Sequence, residues 1–87
     1  MSYYIDFTHK AKSDIEAHNK SGNKAIIKKI SILLKEMVIH PLEGNGKPEA
    51  LKHNLSGFWS RRINGEHRII YEVLENTIVI HSLKGHY

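Results

Sequence analysis

Asn64–Gly65 divides two runs in which β-branched and aromatic side chains dominate, "FWSRRI" before it and "EHRIIYEVL" after it. Asn-Gly supplies the left-handed backbone of a tight hairpin turn, so this pair fixes an antiparallel pairing between its flanks. A second turn near Glu75–Asn76 precedes "TIVIHSL". Three strands joined by short turns form an antiparallel meander.

Upstream the periodicity changes. "YYIDF", residues 3–7, reads as a short strand. Thr8 is placed to cap a helix running to about Asn19, and "KSGN" breaks it. Asn23 caps a second helix, whose apolar residues Ile26, Ile27, Ile30, Leu33, Leu34, Met37 and Val38 recur at three and four. That stripe is core, and Pro41 ends the helix. Residues 41–50 are a loop with both prolines. The expectation is one α+β domain over residues 1–87: an N-terminal strand and two helices packed on an antiparallel sheet.

Composition narrows the function classes. The chain has 87 residues, enough for one core. It has no cysteine, which removes disulfides and thiolate metal sites and is compatible with the cytoplasm, the expected location. "MSYYIDF" lacks the form of a signal peptide, and no run approaches the roughly 18 apolar residues of a membrane span. Thirteen Lys and Arg against nine Asp and Glu give +4, which suits an acidic partner and equally suits simple solubility. No phosphate-binding or dinucleotide-binding glycine pattern occurs. Seven histidines are scattered without zinc-site spacing, so neither metal nor cofactor is expected.

Strand alternation brings arginines together. A two-residue turn pairs Arg61 with Arg68; a three-residue turn including Glu66 pairs Arg62 with Arg68. Like charges facing each other across strands are unfavourable unless an acid or anion sits between them. The pair is therefore either two solvated side chains near a turn or a phosphate clamp. "GNGKPE" presents Lys47 and Glu49 from a bent loop, and "KGHY" places His86 and Tyr87 after the last strand. Gly85 permits the backbone to bend there. RNA cleavage without metal needs a base for the 2′-hydroxyl, an acid for the leaving 5′-oxygen and cations for the charge growing on phosphorus. Glu49, His86 and the arginines are the right types for those tasks.

"EGNGKPEALKHNLSGFWSRRINGEHRIIYEV", residues 43–73, with the terminal "HY", closely resembles the YoeB (Txe/YoeB) toxins, within the RelE-like group of toxin–antitoxin proteins. The match is dense in the C-terminal half and looser over residues 1–40. The resemblance implies a RelE-like fold and a ribosome-dependent mRNA endonuclease held inactive by a YefM-type antitoxin, with a homodimer possible. It implies Glu49 as general base, His86 as general acid, Arg68 as the transition-state arginine, Arg62 as a second phosphate-facing arginine, Lys52 as a cationic contact and Tyr87 as the terminal tyrosine. Lys47, Arg61 and Lys84 are further candidate RNA contacts. Lys84 and Gly85 stand where some members carry arginine and an aromatic residue. Three other readings remain: a ribosome- or RNA-binding inhibitor that does not cut, a ParE-like toxin directed at gyrase, and a structural DNA-binding partner that acts mainly through its antitoxin.

Overall fold

A computed structural model describes residues 2–85. His86 and Tyr87, expected from the sequence to belong to the site, lie outside those residues.

The expected caps form. In α1 (His9–Ser21) the Thr8 hydroxyl accepts from the Ala11 amide at 3.1 Å, and in α2 (Lys24–Met37) the Asn23 side chain accepts from the Ile26 amide at 3.2 Å. Each such cap stabilises its helix by about 1 kcal/mol. Gly22 ends α1 in the left-handed conformation, two residues beyond the expected boundary.

The strands are β1 (Tyr4–Phe7), β2 (Glu49–Ala50), β3 (Trp59–Arg62), β4 (Arg68–Val73) and β5 (Thr77–Ser82). They form one sheet in the order β1-β5-β4-β3-β2. The meander β3–β4–β5 is antiparallel as expected. β1 instead runs parallel to β5, so the sheet is mixed. The cause is the connection: two helices intervene before the chain re-enters the sheet, and a long crossover can deliver a parallel strand.

One sheet face carries Ile69, Tyr71, Ile78 and Ile80, and packs on Ala11 of α1 and Ile30, Leu33 and Met37 of α2. The α2 stripe is therefore core, as its spacing indicates. The opposite face lies away from the helices, and it carries the polar residues developed below. Among the described residues no helix is long and apolar enough to cross a membrane.

Candidate functional site

The turn after β3 decides which arginine reaches the open face. Asn64 Oδ1 accepts from the amides of Glu66 and His67, both at 2.8 Å, and the His67 carbonyl accepts from the Ile63 amide at 3.0 Å. This closes a three-residue turn, with Arg62 directly opposite Arg68. Of the two registers open to the sequence, this one puts Arg62 beside Arg68 and sends Arg61 to the helix-covered face.

Arg61 is consequently fully buried. Its guanidinium donates to Glu36 Oε1 at 2.8 Å, to the carbonyl oxygens of Asn45 (3.2 Å) and Glu43 (2.8 Å), and to that of His40. Its Nε donates to the Tyr71 hydroxyl at 3.3 Å, and that hydroxyl donates to the Pro41 carbonyl at 2.7 Å. The expectation that Arg61 contacts RNA is corrected: its donors are spent holding the 40–45 loop. Glu36 answers that charge. The Asn45 amide, bonded to its carboxylate at 2.6 Å, and then Arg61 hold it below the usual glutamate range. Burial pushes the Tyr71 hydroxyl up, against a smaller opposing pull from Arg61.

The anchored loop delivers Glu49. Gly46 sits at φ 82°, and a Cβ there would come within 3.0 Å of the Arg62 carbonyl and 3.1 Å of Leu33. Only glycine meets both demands. The Gly46 carbonyl accepts from the Arg62 amide at 2.6 Å, and the chain then forms β2, where Glu49 pairs with Ser60. The sequence reading has no strand here; two residues are too few to show periodicity.

Glu49 and Arg68 meet on the open face. Glu49 Oε1 lies 3.9 Å from Arg68 Nη1, which also approaches Ser60 Oγ at 3.4 Å. The Glu49 side chain is 59% exposed and that of Arg68 18%, so the carboxylate meets solvent while the guanidinium is largely enclosed. An acid beside the arginine pair offsets the like-charge cost of Arg62 against Arg68. Lys52 is exposed and lines, with Glu49, His53 and Asn54, a concavity along residues 49–55. His53 holds φ 61°, an unusual left-handed value for a side-chain-bearing residue in that lining. Lys47, Arg62 and Lys84 are exposed. His81 Nε2 donates to Glu72 Oε1 at 2.9 Å, and the ring stacks on Phe58, with centroids 4.7 Å apart.

His86 and Tyr87 lie outside the described residues, but the chain leading to them is placed. The Gly85 carbonyl accepts from the Arg68 amide at 3.2 Å, and Gly85 has φ 84°. Three residues escaped the sequence reading: Asp14, His18 and His67, all buried and bonded to the 83–85 backbone. The available signal was Ala11, Asp14 and His18 on one face of α1, where apolar residues are the ordinary choice for a packed surface.

The arrangement offers a solvent-reaching carboxylate and a largely enclosed guanidinium beside it, and the chain exposes Lys47, Lys52, Arg62 and Lys84; together these suit an anionic, phosphate-bearing ligand. A family model described as "YoeB-like toxin of bacterial type II toxin-antitoxin system" matches residues 7–87. Toxin YoeB of Escherichia coli K12 is 54% identical over 65 residues, 75% of this chain and 77% of that protein. Among solved structures, the YoeB dimer from Staphylococcus aureus is 45% identical, covers the whole of both chains and superposes with a TM-score of 0.86. The heterotetrameric YoeB–YefM complex from the same organism contains a chain 45% identical, again covering both fully, with a TM-score of 0.84. On the match over residues 7–87 and these likenesses, the chain belongs to the YoeB-like toxins of bacterial type II toxin–antitoxin systems.

Proposed function

We propose that this toxin is an endoribonuclease that cuts mRNA on the ribosome and so stops translation. The observation that carries the reading is the Glu49 carboxylate 3.9 Å from the Arg68 guanidinium on the open sheet face, with Arg62 opposite Arg68. Glu49 takes the proton from a ribose 2′-hydroxyl. The 2′-oxygen attacks the adjacent phosphorus, the bond to the 5′-oxygen breaks, and His86 protonates that oxygen. The products are a 2′,3′-cyclic phosphate and a free 5′-hydroxyl. Arg68, with Arg62, stabilises charge on the non-bridging oxygens, and its enclosure strengthens that effect. Tyr87, matching the family's terminal tyrosine, is a further candidate member of the site. Lys47, Lys52 and Lys84 hold the RNA backbone.

The ribosome supplies the remaining orientation. A net charge of +4 gives weak affinity for free RNA, and an in-line geometry for attack must be imposed from outside so small a site. An antitoxin of the YefM type restrains the enzyme, a reading supported by the Staphylococcus aureus YoeB–YefM complex; its acidic segment would lie over the basic surface. The dimer of that organism's YoeB supports self-association here too. On this reading the protein works in the cytoplasm.

The test maps mRNA 5′ ends in a translating extract with and without the protein. New ends on ribosome-bound message, with little cutting of the same message alone, are the expected result. Arrested translation without new ends would instead identify a binding inhibitor, and equal cutting of free message would remove the ribosome from the mechanism.

A further inference from the structure

Beyond Ser82 the chain has left the sheet ladder, where a terminal segment ordinarily frays. Here the backbone of residues 83–85 is bonded at four points. The Leu83 amide donates to Asp14 Oδ2 at 2.9 Å, and His18 Nε2 donates to the Leu83 carbonyl at 2.8 Å. The Gly85 amide donates to His67 Nδ1 at 2.9 Å, and the Gly85 carbonyl accepts from the Arg68 amide at 3.2 Å. Three of these four partners are side chains, and all three are more than nine-tenths buried: Asp14 at 7% exposure, His18 at 4% and His67 at 8%.

Polar groups this deep are costly unless bonded, and apolar residues would fill the same volume without that cost. Their bonds go to a backbone segment rather than to each other's charges. The two histidines pack edge to face, with ring centroids 4.9 Å apart, so each ring limits the rotation of the other. Their tautomers follow from their partners. His18 carries its proton on Nε2 to reach a carbonyl. His67 accepts at Nδ1, so its proton sits on Nε2, which faces Glu66 Oε1 at 3.7 Å. Asp14 is itself steadied by Lys10 Nζ at 2.7 Å.

The consequence concerns Arg68. His67 holds the amide of Gly85 with its ring, and the next residue, Arg68, holds the carbonyl of Gly85 with its backbone. The Arg68 side chain meanwhile points to Glu49. Residue 86 thus follows directly from a residue bonded to both members of the His67–Arg68 pair.

We propose that Asp14, His18 and His67 are positioning residues: they form a clasp that fixes the backbone of residues 83–85 against Arg68, and this is the backbone from which the chain continues to His86. The proposal rests on the reading of His86 as the general acid. A misplacement of about 1 Å in a reacting group costs on the order of 10²-fold in rate.

The test uses the full chain and two substitutions of His67. His67→Phe keeps a ring and removes the acceptor. His67→Asn places a carboxamide oxygen near the position of Nδ1. Single-turnover cleavage on translating ribosomes, ribosome affinity, melting temperature and hydrogen exchange of the Gly85 amide are measured for each. His67→Phe is expected to cut about 10²-fold more slowly with unchanged ribosome affinity and faster exchange at Gly85. His67→Asn is expected to recover most of the rate and the protection. Wild-type cleavage by folded His67→Phe, unchanged Gly85 exchange, or failure of His67→Asn to recover would each overturn the clasp. If His67→Phe does not fold, the pair His18→Leu and His18→Gln decides in the same way at Leu83, since glutamine restores a donor near Nε2. His86→Gln runs beside them. Wild-type cutting by that variant would sink the acid assignment, while Gly85 exchange would still judge the clasp.

Discussion

Glu49 is the side chain on which the proposed chemistry depends most directly, and its exposure makes it separable from the fold. Glu49→Gln keeps the shape and the β2 pairing with Ser60 but cannot accept the proton. Cleavage in a translating extract is expected to fall by about 10²–10⁴-fold, with the melting temperature unchanged. Full cutting by the folded variant would remove Glu49 from the mechanism. The neighbouring arginines show how finely position decides role. Arg61 and Arg62 are chemically identical and adjacent, yet one is buried against Glu36 and the other is exposed opposite Arg68. A change of one residue in turn length exchanges their faces. The sequence contains both registers; what selects between them is Asn64 Oδ1 bonding two amides, a geometry that Asn-Gly alone does not specify.

Elements were legible where a local signal sufficed. Thr8 and Asn23 cap their helices, the α2 stripe is core, and Asn-Gly marks the hairpin, because each depends on residues within a few positions. The parallel pairing of β1 with β5 was not legible, since it joins residues at opposite ends of the chain. Nor was the loop at residues 41–48, whose shape is dictated from outside by Arg61 and Glu36. That loop has a pH signature. The Asn45 amide, then Arg61, lowers the proton affinity of Glu36 in the folded state. The stabilisation is therefore complete above the unfolded-state value, about 4.3, and is lost as pH falls through the lower folded-state value. Wild type is expected to melt above Glu36→Gln at neutral pH, and the gap is expected to close progressively below about pH 4. A gap that stays constant, or widens in acid, would show that the carboxylate is not the loop's anchor. Melting curves of the two proteins across pH 2.5–7 (roughly the span of carboxylate titration) make the comparison.

Across the whole molecule, function and stability are set in different places. The core residues Leu33, Met37, Ile69, Tyr71, Ile78, Ile80 and Leu83 all precede His86. Deleting His86–Tyr87 is therefore expected to abolish growth inhibition while shifting the melting temperature by no more than about 2 °C, well under the 4–8 °C that a loss of 1 kcal/mol produces in a domain of this size. A deletion that stays toxic, or that unfolds the protein, would move the acid elsewhere. The β1–β5 pairing has one more effect, and it concerns the order in which the chain is made. The Thr8 hydroxyl, which caps α1, also donates to the His81 carbonyl across 73 residues of sequence. β1 emerges from the translating ribosome long before the strand it must join, and a contact so distant in sequence forms late. The nascent toxin consequently lacks a complete sheet until β5 has been delivered, and on the proposed reading the ribosome that builds it is spared until then.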